Sequence, residues 1–182
     1  MKMYAPILLF VYKRPEHTWK TLSALEKNLL SENSPLFIFS DGPRREEDLP
    51  FIKEVRKIIR QKWKFKERHL VERETNMGLA FSIISGVSEI LTFYDRVIVL
   101  EDDIVTSPTF LLYMNQALLF YEEKEKAMHI TGYMFPINTK GLPDLFFLKP
   151  ATSWGWGTWK RAWKHFRRDP QELVKIFTPE MI

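Results

Sequence analysis

The stretch RVIVLEDDIVTSP, residues 96–108, decides how this chain is read. Val97 to Leu100 form an unbroken apolar run, the pattern of a strand covered on both faces rather than one half-open to water. Three carboxylates follow at once: Glu101, Asp102 and Asp103. Ser107-Pro108 then has the form of a helix N-cap with proline at the first helical position, and predicts a helix to about residue 122. A strand buried on both faces, followed by a crossover helix, belongs to a parallel sheet.

The flanking sequence repeats this alternation. Residues 6–12 (PILLFVY) predict a second doubly buried strand, followed by a helix over 16–30 with Leu22, Leu25 and Leu29 on one stripe. Residues 35–40 (PLFIFS) predict a strand that stops at the turn Asp41-Gly42-Pro43. A helix over 49–63 carries Ile52, Val55, Ile58 and Ile59. Residues 68–72 form a weaker strand, and Asn76-Met77-Gly78 a loop leading into a helix over 79–93. Further strands are expected at 127–131 and 145–149, a helix capped by Thr158 runs to Arg167, and Asp169-Pro170 opens a last one. The reading is one α/β domain over residues 1–182, with a mostly parallel central sheet flanked by helices.

Composition removes several classes of function. The 182 residues are 45% hydrophobic and 27% charged, as in ordinary globular domains, which argues against a disordered or fibrous chain. The absence of cysteine excludes disulfides, iron–sulfur clusters and thiolate zinc sites. No run of 18 apolar residues predicts a membrane span, and Met1-Lys2-Met3 with its short apolar run lacks the form of a signal peptide, so the expected location is cytoplasmic. Net charge is +4, with basic runs at 62–68 and 160–168 that read as a solvated helix face and loop rather than a nucleic-acid surface. His17, His69, His129 and His165 are scattered, with no H-E-x-x-H pattern for zinc. The chain has neither the glycine-rich dinucleotide turn nor a P-loop, and no G-x-S-x-G nucleophile elbow.

In open α/β sheets, ligands bind beyond the carboxyl ends of the strands. The residues there include Lys13-Arg14, Asp41, Asn76, the acidic triplet and Gly132-Tyr133. Three adjacent carboxylates at the end of a buried strand repel one another. A divalent cation relieves that repulsion, and hard oxygen donors suit Mg²⁺ or Mn²⁺, which recruit substrate phosphates as further ligands. A nucleotide phosphate without a glycine-rich nest needs such a cation, or basic side chains. The rival reading of the triplet is that it merely precedes and caps the next helix.

Read together, residues 6–15 (PILLFVYKRP), residues 96–108 and residues 153–159 (SWGWGTW) resemble the GT-A fold of nucleotide-sugar glycosyltransferases, of the N-acetylglucosaminyltransferase I type and related bacterial sugar transferases. The resemblance implies metal-dependent sugar transfer from a nucleoside-diphosphate sugar, a UDP-sugar by preference, to a hydroxyl of a glycan or lipid-linked acceptor, with inversion. It implies Asp103 as the Mn²⁺ or Mg²⁺ ligand, with Asp102 and Glu101 touching the metal's waters, the ribose or the donor sugar. Arg14 would approach the ribose or phosphates, Asp41 the base, and Asn76 and Gly78 the nucleotide and donor sugar. Trp154 and Trp156 would wall a sugar, or simply pack, while Trp159, Trp163 and Phe166 read as core on one helical face. No base for the acceptor proton is assigned; Asp144 and Asp169 are the free aspartates late in the chain. The chain ends soon after the Gly-Trp segment, so part of an acceptor site is expected beyond it. No nucleic-acid partner and no transmembrane segment are expected, and peripheral membrane contact stays open. A sugar-nucleotide nucleotidyltransferase and a non-catalytic nucleic-acid-binding module are the alternatives.

Overall fold

The computed structural model describes residues 4–176, Thr139 and Asp144 excepted. The expected α/β architecture is present. Strands β1 (Ile7–Val11), β2 (Pro35–Ser40), β3 (Glu67–Glu72), β4 (Arg96–Glu101), β5 (Ile130–Thr131) and β6 (Trp156–Trp159) form one sheet in the order β3-β2-β1-β4-β6-β5. The β1–β2, β1–β4 and β2–β3 pairs are parallel, and β6 runs antiparallel to both of its neighbours. Helices α1 (Pro15–Glu26), α2 (Leu49–Arg60), α3 (Leu79–Ile90) and α4 (Phe110–Phe120) connect the strands, and the short α5 (Lys160–Trp163) and α6 (Pro170–Ile176) follow β6.

Alternation along the central strands divides the core. Ile7, Leu9, Val11, Ile98 and Leu100 pack with Leu22, Leu25, Val55, Met114 and Leu118, on the face covered by α1, α2 and α4. Leu8, Phe10, Val97 and Val99 pack on the other face with Phe39, Val87 and Ile90, under α3. Each such side chain contributes roughly 1.5–3 kcal/mol when fully buried, so the middle of the sheet is the most rigid platform the chain possesses. The carboxyl ends of β1, β2 and β4 are therefore held in fixed relation.

Several expectations needed correction. The first helix ends at Glu26, because Leu30 takes a left-handed φ of 76° before a 3-10 turn, and Leu29 is 53% exposed rather than on the core stripe. Helix α4 starts at Phe110 with Thr109 as N-cap; Ser107 contributes its carbonyl, not a side-chain cap. Residues 145–149 form no strand: Phe147 and Leu148 are exposed, and the β5–β6 pair completes this side of the sheet. Residues 156–159, expected as loop and helix start, are a strand instead. Its glycine makes the packing possible. A Cβ on Gly157 would lie 3.0 Å from both the Val97 carbonyl oxygen and Met114 Cε, so a side chain there would need β4 or α4 to give by a few tenths of an ångström. Thr158 donates to the Met128 carbonyl at 2.9 Å instead of capping a helix, and Trp159 Nε1 donates to the Leu118 carbonyl at 2.9 Å. Trp159 is core as expected, but Trp163 is half-buried and Phe166 exposed.

Gly157→Ala is expected to lower stability by about 1–3 kcal/mol through overpacking, since a backbone carbonyl cannot move aside as a side chain can. Urea unfolding monitored by tryptophan fluorescence measures this.

Candidate functional site

The site grows from the adjacency of β1 and β4. Their pairing sets Phe10 beside Glu101, so Tyr12, two residues on, and Asp102, one residue on, meet beyond the sheet. The Tyr12 backbone N–H donates to Asp102 Oδ2 at 3.3 Å. Thr21 of α1 donates through its hydroxyl to the Asp102 carbonyl at 2.8 Å. Arg14 completes the enclosure: Nη2 bonds Asp102 Oδ1, while Nη1 bonds Asp103 Oδ2 at 3.0 Å. Asp102 is 2% exposed, but the side chains of Arg14 and Asp103 are 45% and 40% exposed. The triplet is thus unequal. Asp102 is bound into the structure, whereas Asp103 faces solvent with Oδ1 outside any hydrogen bond found among the described residues.

The side chain of Glu101, half-buried at the end of β4, makes no hydrogen bond or ion pair among those residues. Burial pushes its carboxyl above the usual range, and the charges of Asp103 and Asp102 push it further. Burial also raises Asp102, against the hydrogen bond and charge of Arg14 and the Tyr12 N–H. The corner therefore holds more negative charge than Arg14 neutralises. No group of three acidic or imidazole side chains among the described residues forms a ready-made metal cage. What the corner offers a hard cation is the free oxygen of Asp103, with Glu101 beside it. That donor set fits a Mg²⁺ or Mn²⁺ ion that draws its other ligands from water and phosphate.

Along the edge, Asp41 follows β2, its N–H donating to the Val11 carbonyl at 3.1 Å. Its carboxylate does not face outward as expected for contact with a base. Oδ1 accepts from the N–H groups of Gly42 at 3.0 Å and Met77 at 2.9 Å; Oδ2 accepts from Met77 and Gly78, each at 3.1 Å. Three N–H groups thus engage this carboxylate, that of Met77 shared between both oxygens, so Asp41 shapes the 76–78 loop. Asn76 assists by donating its amide to the Gly42 carbonyl at 3.0 Å. Gly42 lies so close to this loop that a Cβ would fall 2.5 Å from the Thr75 backbone. Gly78, at φ 76°, is the N-cap of α3, and nothing lies within 4 Å of where its Cβ would be. The structure thus joins Arg14 to Asp102 and Asp103, and Asp41 to Asn76 and Gly78, as two groups on adjacent strand ends.

Asp48 and Tyr12 at this edge escaped the sequence reading of the site. Asp48, in the acidic turn before α2, accepts from the Tyr12 hydroxyl at 2.7 Å and from Lys13 Nζ at 2.6 Å. Nothing in a Glu-Glu-Asp run marks it as more than helix-start acidity. Tyr12 in turn accepts from the Arg44 N–H at 3.0 Å, tying β1 to the loop after β2.

On the other side of the acidic corner the two tryptophans part company. Trp156 is 9% exposed inside β6, stacked near His129 and Trp163, so packing is its place and little of its ring remains for a sugar. Trp154 is 47% exposed and meets Tyr133 edge-on at 4.5 Å, with Phe135 at 6.0 Å. These rings precede β6 and follow β5 at the end of the sheet where β4 delivers Glu101. Asp169 is spent capping α6 through the N–H groups of Gln171 and Glu172, and Asp144 lies outside the described residues. Two concavities lie away from this corner: about 280 Å³ beside Trp19 and Ile58, and about 230 Å³ beside His129 and Trp163. The acidic corner is an open shelf.

Neither a family profile nor a curated protein sequence matches the chain. Among solved structures, S. aureus TarS aligns at 17% identity with a TM-score of 0.45, over 76% of this chain and 23% of its own. A protein of Desulfovibrio desulfuricans G20 assigned as a nucleotide-diphospho-sugar transferase aligns at 13% and 0.46, over 91% and 70%. The 4-diphosphocytidyl-2C-methyl-D-erythritol synthase of Anaerococcus prevotii aligns at 14% and 0.49, over 95% and 82%. The chain therefore spans less than a quarter of TarS. Among the described residues, no helix is long and apolar enough to cross a membrane.

Asp41→Ala is expected to leave the sheet intact but free the 76–78 loop, so that the Met77 and Gly78 amides exchange at least about tenfold faster, the equivalent of roughly 1.4 kcal/mol of lost protection. Amide hydrogen exchange reads this residue by residue. A second expectation concerns acid. Hydrogen bonds from Lys13 and then Tyr12 pull the Asp48 carboxyl down to about 2. A carboxyl lowered in the folded state adds stability that is present above its unfolded value near 3.9 and is lost as pH falls toward 2. Asp48→Asn should therefore be less stable than wild type at neutral pH and show a flatter stability profile between about pH 4 and pH 2, as followed by chemical denaturation.

Proposed function

We propose that this chain carries the donor-binding domain of a GT-A-type glycosyltransferase, moving a sugar from a nucleoside-diphosphate sugar, a UDP-sugar by resemblance, to an acceptor hydroxyl with inversion. The supporting observation is the acidic corner itself: a buried, Arg14-held Asp102 flanked by an unpartnered Glu101 and an outward Asp103 at the carboxyl end of β4.

In this reading each group has a task. A Mn²⁺ or Mg²⁺ ion held by Asp103 supplies the positive charge that stabilises the departing diphosphate. Asp41 keeps the 41–43 and 76–78 loops together, so that their backbone lines the nucleotide side of the shelf. Gly78 leaves that lining without a Cβ, allowing the ribose or donor sugar to approach the start of α3. Glu101 faces the donor sugar from the end of β4. Trp154, with Tyr133 and Phe135, offers aromatic faces on which an acceptor sugar can rest. The three-residue turn Tyr12-Lys13-Arg14 between β1 and α1 leaves no room for the glycine-rich loop of a nucleotidyltransferase.

Calorimetry with UDP tests the proposal. Binding is expected with Mn²⁺ and not with EDTA, and Asp103→Ala should weaken it by at least about tenfold while circular dichroism stays unchanged. UDP binding that needs no metal and survives Asp103→Ala overturns the reading. Pyrophosphate release from UTP and a sugar phosphate would move the chain to the nucleotidyltransferases. Salt-steep DNA binding without any nucleotide response would make it a nucleic-acid module.

A further inference from the structure

Arg14 occupies a position that local rules disfavour. It is the N-cap of α1, where Ser, Thr, Asp or Asn is the usual choice, and its side chain makes no capping bond. It also places a full positive charge at the positive end of the helix dipole. Its backbone is fixed there, because the Arg14 carbonyl accepts from both the N–H and the hydroxyl of Thr18, each at 2.9 Å, and Pro15 follows at the first helical position. The guanidinium then forks, with one arm on Asp102 and the other on Asp103.

The two arms differ in what it takes to break them. Asp102 is almost fully buried, and a buried carboxylate stripped of its cation is strongly unfavourable. Asp103 and the Arg14 side chain are both about two-fifths exposed, where an ion pair holds weakly because water can replace either partner. The Asp102 arm is therefore structural and the Asp103 arm exchangeable. Asp103 is also the carboxylate that the proposed function assigns to the metal.

Resting on that assignment, we propose that Arg14 is a resident counter-cation: it steadies the acidic corner in the metal-free protein and competes with the divalent ion for Asp103. Metal loading opens only the outer arm, and Asp102 keeps its guanidinium throughout. A lysine at position 14 would retain charge for Asp102 but could not fork across both carboxylates.

Direct titration of Mn²⁺, with free ion counted by electron paramagnetic resonance and no nucleotide present, tests this. Arg14→Gln is expected to bind Mn²⁺ about tenfold tighter than wild type, because a repelling charge has left the neighbourhood of the ligand. Arg14→Lys should fall between the two and retain near-wild-type thermal stability. Affinity that is unchanged or weaker in Arg14→Lys overturns the proposal, and that variant decides the question if Arg14→Gln does not fold. Asp103→Asn separates the two layers of the argument. If wild type binds Mn²⁺ and Asp103→Asn does not, the metal assignment stands, and only the behaviour of the Arg14 variants bears on Arg14. If neither wild type nor any Arg14 variant binds Mn²⁺, both the metal assignment and the competition fall.

Discussion

The interaction on which this architecture turns is the burial of Asp102. A parallel β1–β4 pair delivers two chain segments to the same point beyond the sheet, and one of them carries a carboxylate into a nearly dry position. An unpaired charge there would be untenable. The structure answers with a backbone N–H from Tyr12 and a guanidinium from Arg14, and it anchors the same peptide through Thr21 of α1. Each donor comes from the segment that leaves β1. The start of α1, the end of β1 and the end of β4 are thereby locked to one another, and the orientations of Glu101 and Asp103 follow from that lock.

The acids along the edge divide by what surrounds them. Asp41 is saturated by backbone N–H groups, Asp48 by Tyr12 and Lys13, and Asp102 by Arg14 and Tyr12. These three hold loops in place. Within the acidic triplet, Glu101 and Asp103 retain side-chain oxygens without a hydrogen-bond partner among the described residues. Acids satisfied in this way brace the loops at the edge, so that little reorganisation is left for any ligand bound there.

How far this could be read beforehand differed by element. The long apolar runs at 6–12 and 96–100 gave β1 and β4 correctly, because burial on both faces leaves an unambiguous pattern, and the turn at Asp41-Gly42-Pro43 ended β2 where expected. The acidic triplet marked the corner, yet the unequal fates of its members were illegible, since they depend on which residue of a neighbouring strand stands opposite. Asp41 was marked by its place at the strand end, but two of the three N–H groups its carboxylate accepts from lie 36 and 37 residues downstream and leave no spacing signal. Asp48 was missed for the same reason. Helix ends were placed too late wherever a backbone feature, such as the left-handed Leu30, intervened rather than a glycine or proline.

The Trp-Gly-Trp-Gly segment shows why alternation can mislead when glycine carries half of it. The glycines at 155 and 157 stand where something large lies beneath them. A Cβ on Gly155 would sit 3.1 Å from the Phe110 ring, and one on Gly132 in the adjoining chain 2.3 Å from it. The Gly132 N–H reaches the Gly155 carbonyl at 2.7 Å across this gap. With both backbones pressed against Phe110, the chain before Gly155 turns outward at a φ of 67°, and Trp154 goes with it toward Tyr133. The chain after Gly155 enters β6 and carries Trp156 into the core. One aromatic ring from α4 thus sorts two neighbouring tryptophans into different environments. It leaves the exposed one, with Tyr133, at the end of the sheet where β4 delivers Glu101.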